Sequence, residues 1–222
     1  MPYTRLLPEV TISELTPRKR RFFLKYLARF LLLFESVKAK GSFLDSKRVI
    51  VTAAPHQSGK DEYLMILMIL ALDIEVCYLS AKWTMRRIPI PFIKPKDIDN
   101  QGIPWPLGWL QEIVFRKFGA IPVDRKGNSG QYDSVVQDLL KKDSFLLIIT
   151  PEGRFDATRF RSSFLYLAKE LEAEVMPVQI DYEHDTLKFL ESLNLDGSEE
   201  EVIQRLRSCF DGIKGRKSRF KA

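Results

Sequence analysis

The sequence predicts an α/β fold, a single domain with a mostly parallel sheet flanked by helices. Short apolar runs alternate with helical segments from Arg48 to Phe210, and strands separated by helices pair in parallel through crossover connections. The runs Arg48 to Ala53 and Phe145 to Thr150 are apolar over most of their length, the pattern of buried strands. A chain of 222 residues is long enough for one domain with a sizeable core and short for two.

The elements follow in order. Thr16-Pro17 offers a capping threonine with proline at the first helical position, so a helix is expected from there to about Lys40, with Gly41 as its C-cap. Its first half is basic (Arg18, Lys19, Arg20, Arg21, Lys25, Arg29), and Phe22, Phe23, Tyr26, Leu27, Phe30, Leu31, Phe34 and Val37 make it amphipathic. A strand at Arg48 to Ala53, a helix at Asp61 to Leu72 and a strand at Ile74 to Leu79 come next. Pro89, Pro91, Pro95, Pro104 and Pro106 mark an irregular stretch. Then come a helix at Leu107 to Phe118, a strand at Ala120 to Val123, a helix at Gln131 to Lys142 and the strand at Phe145 to Thr150. A helix at Ser162 to Leu171, a strand at Glu174 to Ile180 and an amphipathic helix at Glu199 to Phe210 complete the set. Pro177 within that last strand predicts an edge position or a bulge. These signals divide the chain into an N-terminal basic amphipathic segment (1–41), the main domain (42–214) and a basic tail (215–222).

Net charge is +6, which favours acidic partners such as anionic lipid, phosphorylated substrates or nucleic acid. Basic residues cluster at the termini and no RNA or DNA module is present, which argues against nucleic acid. The two cysteines, Cys77 and Cys209, have neither zinc spacing nor a disulfide framework, which suits a reducing compartment. No signal peptide is apparent at Met1 to Arg5. The longest wholly apolar run, Leu64 to Leu72, falls well short of the about 20 residues that span a bilayer.

Candidate chemistry falls on loops that follow strands, where ligand groups gather in α/β proteins. The first is Ala54-Pro55-His56-Gln57-Ser58-Gly59-Lys60-Asp61. A carboxylate five residues beyond His56 can reach back, fix the imidazole tautomer and stabilise the imidazolium formed during proton abstraction. Read blandly, Asp61 is a first-turn helix acid and His56 an ordinary loop histidine. Ser58-Gly59-Lys60 lacks the leading glycine and the following Ser or Thr of a nucleotide-binding P-loop. The second is Gly119 to Arg125, a short strand ending in an arginine that suits a phosphate or carboxylate. The third is Thr150-Pro151-Glu152-Gly153-Arg154, a sharp turn that can present Glu152 to acceptor hydroxyls with Arg154 beside it. The fourth is the proline-containing strand Val175 to Ile180.

In this order the four blocks resemble those of the lysophospholipid and glycerolphosphate acyltransferase family: His-x4-Asp, Gly-x-Ile-x-Val-x-Arg, Phe-Pro-Glu-Gly-Thr-Arg and an apolar strand with proline. They stand here at His56 to Asp61, Gly119 to Arg125, Thr150 to Arg154 and Val175 to Ile180, and the likeness extends from about Val49 to Tyr182. The third block has Thr150 in place of the usual phenylalanine, and Arg154 directly after Gly153, one position early, so that Arg159 or Arg161 is the alternative arginine.

The resemblance implies a glycerolphosphate acyltransferase-like fold and transfer of a fatty acyl group from an acyl thioester, of coenzyme A or acyl carrier protein, to the hydroxyl of a lysophospholipid or glycerol phosphate acceptor. It implies His56 as general base, Asp61 as its orienting partner, Arg125, Glu152, Gly153 and Arg154 at the acceptor, and neither metal nor other cofactor. Alternatives are a lyso-lipid acceptor without phosphate, or a catalytically silent lipid-binding protein, for which the intact His56, Asp61 and Glu152 would serve no purpose. The basic and aromatic residues Arg18, Arg20, Arg21, Phe22 and Phe23 predict peripheral contact with an anionic membrane surface from the cytoplasm; packing of the same helix on the domain is the competing expectation.

Overall fold

The computed structural model describes residues 9–12, 14–17, 22–35, 37–56, 59–81, 84–88, 103–104, 106–123, 131–152 and 159–215. The chain divides into two compact units, Met1–Val76 with Asp143–Ala222, and Cys77–Lys142.

The first unit is built on strands β1 (Glu9–Thr11), β2 (Lys38–Ser42), β3 (Arg48–Ala54), β8 (Phe145–Ile149), β9 (Glu174–Asp181) and β10 (Thr186–Phe189), numbered along the whole chain. Their order is β1-β2-β10-β9-β3-β8. Every pairing is parallel except β10 with β9, which form a hairpin. This is the α/β, largely parallel arrangement that the sequence predicts. Helices α1 (Phe22–Leu32), α2 (Gly59–Ala71), α5 (Ser163–Leu171) and α6 (Glu199–Ser208) belong to the same unit.

The core follows from the apolar runs. In β3 all residues after Arg48 are buried, and Phe145, Leu146 and Leu147 of β8 have no exposed surface. Leu64, Met65 and Ile69 of α2 and Phe164 and Leu167 of α5 are likewise buried. Burying one such side chain stabilises by about 1.5–3 kcal/mol. The α6 N-terminus carries a capping box: Glu201 N–H donates to Ser198 Oγ at 3.3 Å and Ser198 N–H to Glu201 Oε2 at 2.8 Å, with Glu199 and Glu200 in the first turn.

The N-terminal helix is shorter than the sequence predicts. It ends at Leu32, and Leu33, Phe34 and Glu35 tighten it through i to i−3 bonds from their N–H groups to the Phe30, Leu31 and Leu32 carbonyls. Residues 38–40, expected to finish the helix, belong to β2 (Lys38–Ser42) instead. Gly41 is therefore not a helix cap. It has φ +110°, and a Cβ there would lie 2.3 Å from the Phe189 carbonyl oxygen, so the close approach of β10 to β2 requires glycine. The helix start expected at Thr16-Pro17 involves residues 18–21, which lie outside the described residues.

Pro177 also departs from expectation. It sits in β9 between β3 and β10, opposite Thr52, and not on an edge. Its carbonyl accepts from Leu190 N–H at 3.0 Å, just past the last residue of β10. The missing proline N–H falls where that ladder ends, so a central strand tolerates it.

The second unit contains β4 (Val76–Ala81), a 3-10 turn (Thr84–Arg86), the short antiparallel pair β5 (Arg87–Ile88) and β6 (Ile103–Pro104), α3 (Gly108–Lys117), β7 (Ala120–Val123) and α4 (Gln131–Leu140). Strands β4 and β7 pair in parallel. Glu112 on α3 bonds both Arg86 and Arg116, and these two guanidinium partners hold its carboxyl below the usual range. Among the described residues no helix is long and apolar enough to cross a membrane.

Candidate active site

Three adjacent parallel strands deliver the site. In register, Thr52 of β3 faces Ile149 of β8, and Ala54 of β3 faces Gln179 of β9. Continuing each strand past its C-terminal end brings His56, Glu152 and Tyr182 to the same edge of the sheet, the position where α/β folds collect ligand groups. Helix α2 begins at Gly59, so Asp61 enters from its first turn.

His56 and Asp61 are both buried, with 5% and 1% of their surface exposed. His56 Nδ1 lies 3.7 Å from Asp61 Oδ2, within ion-pair reach and longer than a hydrogen bond. Catalytic contacts are commonly loose before substrate binds. The side chain thus turns Nδ1 toward the carboxylate. The preceding Ala54–Pro55 peptide is cis.

Glu152 holds the same loop by its backbone. Its Oε2 accepts the N–H of His56 at 2.5 Å. Burial pushes the Glu152 carboxyl above its usual range, against the opposing effect of the His56 N–H bond and with a further contribution from the charge of Asp61. Next to Glu152, Pro151 is buried and its carbonyl accepts from Arg161 N–H at 2.8 Å.

Tyr182 is the member that sequence reading missed. Its Oη donates to Asp61 Oδ1 at 2.5 Å, and its ring is buried. The two oxygens of Asp61 are thereby divided, Oδ1 to tyrosine and Oδ2 toward histidine. The only sequence signal for Tyr182 is its place directly after a buried strand that enters the site.

Of the other predicted site residues, Arg125, Gly153 and Arg154 lie outside the described residues, as do Arg18, Arg20 and Arg21. Arg159 and Arg161 are exposed. Phe22 and Phe23 open α1 and are 78% and 75% exposed.

Residues 106–181 match the sequence pattern of the family described as Acyltransferase. A comparison with curated proteins finds no match. Among solved structures, the fold is similar to that of the 1-acyl-sn-glycerophosphate (LPA) acyltransferase PlsC from Thermotoga maritima, with a TM-score of 0.54 and 19% identity, covering 90% of this chain and 79% of that one. Residues 106–181 are thus similar in sequence to an acyl-transferring family, and the fold is similar to that of a solved acyltransferase.

Proposed function

We propose that this chain is an acyltransferase that moves a fatty acyl group from a thioester of coenzyme A or acyl carrier protein to the hydroxyl of a lysophospholipid or glycerol phosphate acceptor. The observation that carries the reading is the buried pair of His56 and Asp61 at the C-terminal edge of β3, with Nδ1 turned to the carboxylate. That orientation supports Nε2 as the nitrogen that meets the acceptor. Nε2 takes the hydroxyl proton as the oxygen attacks the thioester carbonyl; the C–O bond forms, the C–S bond breaks, and the thiolate leaves with the proton returned from the imidazolium. Asp61 stabilises the imidazolium between these steps. No covalent enzyme intermediate is needed, and much of the acceleration comes from holding acceptor and thioester in line.

Arg125, Gly153 and Arg154, with Glu152, are proposed to line the acceptor site, Arg125 gripping its phosphate. The early arginine of the third block favours a second reading, a lyso-lipid acceptor without phosphate. Purified protein assayed with a long-chain acyl-CoA separates the two. Transfer to 1-acylglycerol-3-phosphate or glycerol 3-phosphate, and not to an unphosphorylated lyso-lipid, supports the first; the reverse preference removes it.

Membrane contact belongs to the same reading. Helix α1 buries Ala28 and Leu32 and packs on α2, tied by the Lys25–Asp73 ion pair, by Arg29 Nε to the Ala71 carbonyl at 3.2 Å, and by Lys60 to Glu35 at 2.7 Å. Its other face leaves Phe22, Phe23, Tyr26, Phe30 and Phe34 more than half exposed. An uncovered aromatic face beside a basic sequence suits the interface of an anionic bilayer, and peripheral attachment from the cytoplasm is the proposed location.

A further inference from the structure

We propose that Tyr182 is a positioning residue for the acyl-transfer site, acting through Asp61; the inference rests on the reading of His56 as the base. Asp61 is 1% exposed, and a carboxylate so placed is costly unless donors meet its oxygens. Tyr182 Oη meets Oδ1 at 2.5 Å and so fixes the rotation that presents Oδ2 to His56 Nδ1. Tyr182 is itself anchored: it follows β9 directly, and its N–H donates to the Lys214 carbonyl at 3.1 Å. The chemistry of the donor matters. A phenol supplies a hydrogen bond without a countercharge, so Asp61 keeps the negative charge that supports the imidazolium, which a lysine or arginine in that place would neutralise. A chain of three buried groups from two strands and one helix, Tyr182 to Asp61 to His56, thus orients the base.

The test uses Tyr182→Phe in the full chain, which removes the hydroxyl and keeps the ring. With a long-chain acyl-CoA and 1-acylglycerol-3-phosphate as probes, kcat falls by about 10- to 100-fold while the acceptor KM stays within twofold. In an Asp61→Asn background the same substitution costs little more, because its effect runs through the carboxylate. Full and additive losses from the two substitutions, or a change confined to thermal stability, reduce Tyr182 to a structural role and overturn the proposal. Failure of the underlying reading looks different: His56→Ala and Asp61→Asn would then retain turnover themselves.

A spectroscopic arm stands whatever acceptor the enzyme prefers. The chain has two histidines, His56 and His184, so imidazole ¹⁵N resonances are assigned with a His184→Gln variant. Tyr182→Phe moves the His56 ring signals and leaves those of His184 in place; unmoved His56 signals contradict the proposal. Should Tyr182→Phe not fold, the wild-type protein decides: a strongly downfield tyrosine hydroxyl proton that shifts on Asp61→Asn is expected, and a hydroxyl signal indifferent to Asp61 overturns the proposal.

Discussion

The backbone N–H of His56 donates to Glu152 Oε2 across 2.5 Å, joining residues 96 positions apart. The loop of the proposed base is therefore held by Glu152 of the third sequence block, so this proposed acceptor contact also shapes the base loop. Because burial raises its carboxyl, Glu152 binds protons more tightly in the folded chain than in the unfolded one. Its contribution to stability is thus lost as pH rises from the ordinary carboxylate value of 4.5 through the raised one. Glu152→Gln keeps a carbonyl oxygen for the His56 N–H and removes the charge. Chemical denaturation across that pH window is expected to show the variant gaining on wild type as pH rises, while turnover falls about tenfold or more. A variant less stable than wild type at neutral pH contradicts the argument.

Gly41 offers a test of the sheet. Its φ of +110° strains any other residue, and a methyl group on its Cα would sit 2.3 Å from the Phe189 carbonyl oxygen, which leaves no room for a side chain. Gly41→Ala is expected to cost more than about 2 kcal/mol in urea or thermal unfolding. A loss below about 0.5 kcal/mol would mean that β2 and β10 do not approach as described.

How much of this was legible in advance depended on burial. Strands β3, β8 and β9 announce themselves because their residues are mostly buried and read as apolar runs, and α2 and α5 follow as the helical segments between them. Strand β2, Lys38-Ala39-Lys40-Gly41-Ser42, buries only Ala39, so no local pattern separates it from the tail of the preceding helix. It exists because β1 and β10 pair on its two sides. The closeness of His56 to Asp61 was expected from their spacing together with the order of the four blocks, spacing alone being as well explained by a loop histidine and a first-turn acid. The hold of Glu152 on the His56 backbone and of Tyr182 on Asp61 was not, since both depend on which strands are neighbours and in which register.

The aromatic face of α1 yields a binding prediction. Phe22 and Phe23 are mostly exposed, so replacing both with alanine is expected to leave stability within about 0.5 kcal/mol. Co-sedimentation with vesicles containing phosphatidylserine is expected to weaken by about tenfold or more, and the wild-type binding to fall as salt is raised. Binding indifferent to lipid charge and salt, or absent in the wild type, removes the electrostatic anchor.

The proposed phosphate grip is tested at Arg125. Lysine keeps the charge but cannot reproduce the planar two-bond contact of a guanidinium. With a phosphorylated acceptor, Arg125→Lys is expected to raise KM about tenfold with a smaller change in kcat. With Arg154→Lys, Arg159→Lys and Arg161→Lys measured alongside, indifference of all four to acceptor phosphate would end the phosphate-site proposal.

The most direct measurement is single-turnover acyl transfer by His56→Ala, made alongside wild type and with folding checked by circular dichroism. Loss of a general base is expected to slow the chemical step by on the order of 10²–10⁴ while the protein stays folded and still binds acyl thioester. A folded His56→Ala protein that transfers acyl groups at near the wild-type rate would contradict the account.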